Sequence, residues 1–233
     1  MNTINFLVLM GPSGSGKSVI EKVLRDPENG VFRDFYTDMD TESKPVPIFH
    51  KLPQMTTRQK RVSEENNSSN KFTSTEDPYI FISREMYEEY KECLIGTCRH
   101  GNSLYGTLPL ILPTIPCNKD LTINTIILSA DGLSDFFDKI KNSKAYPFKS
   151  IKESKVNIYI AYLDSLSNEK EVEERPDRDL NFERKSFLEG IIWEVSQCMS
   201  YGINIRTGVF FGKEKEKDLV TSLSSWLHYI YCD

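Results

Sequence analysis

Residues 4–24 read INFLVLMGPSGSGKSVIEKVL, and this stretch decides the fold. Ile4 to Met10 is a nearly unbroken apolar run, the pattern of a strand buried on both faces. Gly11 to Ser18, GPSGSGKS, satisfies G-x-x-x-x-G-K-[ST] in full. Val19, Ile20, Val23 and Leu24 follow at helical spacing, and Asp26-Pro27 stops the helix. The motif thus stands in the strand–loop–helix context that its chemistry requires. Glycines let backbone N–H groups approach phosphate oxygens, and the helix N-terminus adds its dipole. Lys17 is expected to reach the β- and γ-phosphates of ATP, and the Ser18 hydroxyl to ligate Mg²⁺. The expected ATP-binding set is Gly11, Ser13, Gly14, Ser15, Gly16, Lys17, Ser18 and Val19.

Working outward, bulk properties narrow the function classes. The chain has 233 residues, 39% hydrophobic and 27% charged, which fits a globular fold of one large domain or a core with inserted units. Its net charge of −5 supplies no basic field for a nucleic-acid polymer. No basic start with a small-residue cleavage site opens the chain, and no apolar run approaches the roughly 18 residues of a membrane span. The five cysteines, 93, 98, 117, 198 and 232, form no C-x-x-C unit, which fits a reduced cytoplasmic setting and no zinc site.

Further along, Pro47–His50 and Tyr79–Ile82 read as strands, and Ser83 as the cap of a helix through Cys93. Residues 94–107 read as a hairpin with Gly101-Asn102 near its tip; the prolines of 108–117 exclude a regular helix. Residues 124–131 and 156–163 read as buried strands, Leu133–Lys141 as a helix, and 203–211 as a further strand. Phe182–Met199 and Asp218–Tyr231 have helical patterns, and 164–181 is charged without an apolar stripe. Strands alternate with helices outside 45–107, which implies a parallel sheet covered on both faces: an α/β, three-layer P-loop core.

The ordered set GPSGSGKS, TTRQKR (56–61), YIF (79–81), GNSLYGT (101–107) and ILSAD (127–131) resembles the guanylate kinase family. The resemblance spans most of residues 4–211. It implies a P-loop core (1–44, 108–163 and 182–233), an inserted mixed α/β nucleoside-monophosphate subdomain (45–107) and a mobile lid (164–181). It implies transfer of the ATP γ-phosphate to GMP or dGMP with Mg²⁺. The partners would be small nucleotides, with no nucleic-acid polymer and no membrane, and the protein a monomer or homodimer. By the same resemblance Arg58 and Arg61 hold the acceptor's α-phosphate, Tyr79 and Tyr105 bind it too, Thr107 belongs to the acceptor site, and Asp131 faces the acceptor base. A guanidinium offers paired donors that match phosphate oxygens, so the arginine assignment has a physical basis of its own. Lid arginines complete the catalytic set of Lys17 and Arg58; Arg175, Arg178 and Arg184 are the positions available.

The chain also departs from the family. The glutamate that reads guanine falls at Ile95 or Gly96, depending on how the hairpin is counted, and neither is acidic. Gln54 and Met55 stand where a serine usually precedes the T-T-R element. Two other readings therefore stay open: a kinase for another deoxy- or modified monophosphate, and a non-catalytic binding module. The intact Gly16-Lys17-Ser18 argues against the module.

Overall fold

The computed structural model describes residues 2–12, 15–25, 47–60, 79–113, 121–142, 151, 153–165, 188–189, 203–212, 221–223, 225–227 and 229–230. The strands of these residues form two sheets. β1 (Thr3–Met10) lies at the centre of a five-stranded sheet ordered β2 (Pro47–Lys51), β7 (Leu121–Ile127), β1, β8 (Lys155–Ser165), β9 (Asn204–Gly212). Every pairing in it is parallel. The second sheet is mixed and ordered β4 (Ile80–Phe81), β3 (Gln54–Thr56), β6 (Ser103–Thr107), β5 (Ile95–His100). Among the described residues no helix is long and apolar enough to cross a membrane.

The apolar run of β1 explains the layering. Its alternate residues Phe6, Val8 and Met10 enter one core with Leu133, Phe136, Phe137 and Ile140 of helix α3 (Ala130–Asn142). Leu7 and Leu9 enter the other, with Ile20 and Leu24 of helix α1 (Lys17–Arg25) and Leu223, Leu227 and Ile230 further along. A strand covered on both faces has no polar side to show, hence its continuous hydrophobicity. The result is a sheet between two helical layers, an α/β fold.

The expected segment 45–107 needs one correction. Pro47–Lys51 pairs in register with Leu121–Thr125 and so belongs to the parallel sheet. The second unit begins only after the two-residue link Leu52-Pro53. Leu52 is fully buried and its N–H donates to Thr125 O at 3.0 Å, which fixes the link to the core sheet. The stretch expected as a lid starts inside β8, which runs to Ser165; residues 166–181 lie outside the described set, as do most of Phe182–Met199.

Helix α2 (Arg84–Tyr90) follows its cap as expected: Ser83 Oγ accepts from Met86 N–H at 3.2 Å. It covers one face of the second sheet through Tyr87, which packs with Met55 and Leu94. The hairpin β5–β6 turns at Gly101-Asn102.

Candidate active site

The glycine-rich loop leaves the carboxyl end of β1. Gly11 has φ of +142°, and a Cβ there would collide with the Leu163 carbonyl of neighbouring β8, so only glycine fits. Ser15 N–H donates to Pro12 O at 3.3 Å and Ile20 N–H to Gly16 O at 2.9 Å, which joins loop to helix. Lys17 Nζ donates to Gly11 O at 2.7 Å, Pro12 O at 2.6 Å and Ser15 Oγ at 3.2 Å. Its ammonium thus lies over the loop it closes. The carboxyl ends of parallel strands, where the strand order reverses about β1, are where α/β sheets bind ligands. Ser18 and Val19 lie in the first turn of α1; Ser13 and Gly14 are outside the described residues.

Further expected site residues lie on or beside the second sheet. Its T-T-R element is organised by its own hydroxyls. Thr56 Oγ1 accepts from Arg58 N–H at 3.2 Å, and Thr57 Oγ1 accepts from Leu104 N–H at 2.9 Å. The first bond is local; the second, with Thr57 N–H donating to Leu104 O at 3.0 Å, holds the residue after β3 against β6, and Arg58 follows it toward β4. The Arg58 guanidinium carbon sits 4.9 Å from the Tyr79 ring centre and 5.0 Å from that of Phe81, and its Nη1 donates to Gln59 O at 3.0 Å. Lys60 lies 5.2 Å from the Phe81 ring. Tyr79 and Tyr105 meet edge-on at 5.9 Å, and His100 meets Tyr105 edge-on at 5.5 Å. Arg58, Tyr79 and Tyr105, far apart in sequence, therefore form one half-buried cluster. Arg61, Arg175, Arg178 and Arg184 lie outside the described residues.

Two expected acceptor residues have structural partners. Thr107 is fully buried and its hydroxyl accepts from Gln54 Nε2 at 3.4 Å. Asp131 is exposed in the first turn of α3, where its charge suits the helix dipole. It is not the cap, because Ser129 Oγ takes the Gly132 N–H at 3.1 Å.

At the positions where the family's base-reading glutamate falls, Ile95 is fully buried in the core against α3. Gly96 has φ of +62°, and a Cβ there would strike Leu128. Both positions are buried. What lies nearby is Cys98, whose thiol pKa is pushed up chiefly by burial, against the lowering effect of a hydrogen bond with Ser129 and with a further rise from the charges of Asp131 and Asp135. Burial likewise raises the Tyr87 phenol, whose hydroxyl donates to Tyr105 O at 2.8 Å. Asp135 Oδ2 accepts Thr97 N–H at 2.8 Å, and Lys139 Nζ donates to Leu94 O at 2.6 Å, so α3 holds the start of β5 in place.

Three groups of this neighbourhood escaped the sequence reading: the Phe81 ring under Arg58, Cys98 beside Asp131, and a buried ion pair between Glu21 of α1 and Lys51 of β2 at 2.9 Å. Phe81 was in plain view, in YIF; the other two are set by tertiary approach and had no local signal.

No protein-family profile matches the chain, and no curated protein sequence does. Among solved structures, the chain is similar to the crystal structure of guanylate kinase from Anaplasma phagocytophilum, with 14% identity over 100% of this chain and 87% of that one, at a TM-score of 0.41. A likeness that faint carries no argument about activity, and the functional reading rests on this chain's own residues.

Proposed function

We propose that the protein is an ATP-dependent nucleoside monophosphate kinase of the guanylate kinase type, with GMP or dGMP as the first acceptors to test. What supports this reading is the presence of two clusters of different build, each suited to an anion. One is the glycine-lined loop with Lys17 at the carboxyl end of β1; the other is the Arg58 cluster with Tyr79 and Tyr105 on a separate sheet. A single triphosphate site needs no second arginine–tyrosine cluster; a reaction joining two phosphates does.

In this reading the loop N–H groups and Lys17 hold the ATP phosphates. Gly11, which admits no Cβ, gives the loop the close backbone approach that a phosphate requires. Ser18 is the residue that would hold Mg²⁺, which when bound offsets charge on the transferring phosphate. Arg58 grips the acceptor phosphate in bidentate fashion, held by the rings of Tyr79 and Phe81, while Tyr105 donates its hydroxyl. The acceptor phosphate is anionic at neutral pH, so its oxygen attacks the γ-phosphorus in line without a general base. Arg61 and one of Arg175, Arg178 and Arg184 are proposed to complete the charge stabilisation; Thr107 acts on the site through Gln54.

An acceptor with another base is the second reading. It is favoured by the burial of Ile95 and the crowding at Gly96, which leave no carboxylate at the guanine-reading position. An unpaired buried donor costs about 1–3 kcal/mol, or roughly 5- to 150-fold in discrimination. The test is kcat/KM with ATP and Mg²⁺ for each common ribo- and deoxymonophosphate. The proposal expects turnover with at least one of them and a guanine preference well below a thousandfold. No turnover with any would remove the kinase reading; a guanine lead beyond about a thousandfold would remove the second reading.

A further inference from the structure

The ion pair Glu21–Lys51 has no part in the reading above. Glu21 follows Lys17 by four residues on α1, one helical turn along the same face. That separation is roughly 6 Å of axial rise, and helical side chains lean back toward the N-terminus. Glu21 therefore stands one helical turn behind Lys17, whose ammonium lies over the loop. Its side chain is only 4% exposed, that of Lys51 13% exposed, and the two meet at 2.9 Å. Lys51 is the last residue of β2, just before the Leu52-Pro53 link to the second sheet.

Packing does not account for this pair. Ile20 and Leu24 of the same helix show that apolar side chains suit this layer. Replacing a buried ion pair by apolar residues of similar volume is often neutral or stabilising. Left alone, a carboxylate one turn behind Lys17 and so shielded from water would oppose a phosphate bound at the loop. Lys51 cancels that charge from the neighbouring strand.

Building on the ATP-loop reading, we propose that Lys51 is the counter-charge that keeps Glu21 from repelling the nucleotide, so that this pair sets the ATP affinity of the loop. The consequence has a sign. Removing Lys51 exposes the loop to the negative charge of Glu21; neutralising Glu21 exposes it to the positive charge of Lys51. A merely structural pair would weaken binding in both cases.

The test is titration with Mg²⁺ and a fluorescent ATP analogue at neutral pH and low salt. The proteins are wild type, Lys51→Met, Glu21→Gln and the double variant Glu21→Leu/Lys51→Met, with circular dichroism recorded for each. The expected results are about tenfold weaker binding for Lys51→Met, about threefold tighter for Glu21→Gln, and return of the double variant to within about threefold of wild type. Weaker binding by Glu21→Gln, or no recovery in the double variant, overturns the proposal, and both readings hold even if Lys51→Met fails to fold. Equal affinity across all four proteins overturns it while leaving the ATP reading intact; a wild type that binds no nucleotide overturns both.

Discussion

The Gln54 side chain donates from Nε2 to the Ile127 carbonyl at 2.6 Å, tying the first residue of β3 to the last residue of β7. One amide thus bridges the two sheets at the carboxyl end of the core. A carbonyl can only accept, so the bond fixes which way the amide faces. Gln54→Leu keeps the bulk and removes both donated bonds, leaving the Ile127 carbonyl and the Thr107 hydroxyl without this donor. The expected cost is about 1–3 kcal/mol, or roughly 2–12 °C in Tm for a chain of this size. Thermal unfolding measures it, and an unchanged Tm would show that the bridge does not hold the sheets together. Acceptor KM should rise with the loss, because the second sheet carries Arg58.

Arg58→Lys tests whether the two proposed phosphate sites are separate. Lysine keeps the charge but loses the fork and the flat contact with Tyr79 and Phe81. Loss of that geometry should lower kcat/KM for the acceptor by about tenfold or more, with ATP KM little changed. Arg58 is partly exposed, so Tm should move little. Equal damage to the ATP parameters would place Arg58 outside a separate acceptor site.

The raised pKa of Cys98 gives a prediction about reactivity and pH. Its folded value lies above the ordinary thiol value, chiefly through burial, so the thiol stays protonated at neutral pH. Exposed Cys93 should be alkylated first at pH 7–8, with Cys98 lagging by about tenfold or more, as read by peptide mapping. The shift also has a sign for stability. A raised folded pKa stabilises fully below the unfolded thiol value and loses that contribution as pH rises through the folded one. Tyr87, raised in the same way, extends the loss to still higher pH. Urea midpoints should therefore fall progressively above the ordinary thiol pKa of about 8.5. A midpoint flat to pH 11, or Cys98 labelling as fast as Cys93, would contradict the burial of this pocket.

An asparagine ladder crosses the core sheet at the end far from the loops. Asn157 Nδ2 donates to Asn5 Oδ1 at 2.8 Å, and Asn204 Nδ2 donates to Asn157 Oδ1 at 3.2 Å. The three are register partners on β1, β8 and β9, so the ladder rewards only one alignment of these strands. Asn157→Ala breaks both bonds and should cost about 1–3 kcal/mol, chiefly because buried Asn5 loses this donor, while exposed Asn204 turns to water. kcat of the surviving folded protein should be unchanged, because the ladder lies at the opposite end of the sheet from Lys17. A stability loss below about 0.5 kcal/mol by urea unfolding would deny the ladder its role.

What was legible in the chain follows local physics. The loop and its flanking elements were readable because strand burial, glycine chemistry and helix spacing all act over neighbouring residues. The Ser83 cap and the Gly101-Asn102 turn were readable for the same reason. Pro47–Lys51 was misassigned because a five-residue strand carries no mark of which sheet it joins; only its pairing with β7 decides that. Arg58, Tyr79 and Tyr105 were nameable through ordered motifs, but their convergence, with Phe81 under the guanidinium, is a product of the second sheet. Glu21 and Lys51 carry no local signal in the sequence. Their pairing arises where α1 packs on β2, thirty residues apart in sequence, and no periodicity announces it.

The central claim is that this chain moves phosphate from ATP at the Lys17 loop to a monophosphate at the Arg58 cluster. The most direct measurement is ATP consumption with Mg²⁺ and a mixture of nucleoside monophosphates, run for wild type and for Lys17→Ala. Lys17 directs its ammonium over the loop and not into either core, so the variant should keep its circular dichroism spectrum and come within a few degrees of the wild-type Tm. The account predicts monophosphate-dependent ATP consumption by wild type and a fall of about a hundredfold or more in Lys17→Ala. Wild-type ATP consumption that ignores the monophosphate, or a folded Lys17→Ala protein with near-normal turnover, would contradict it.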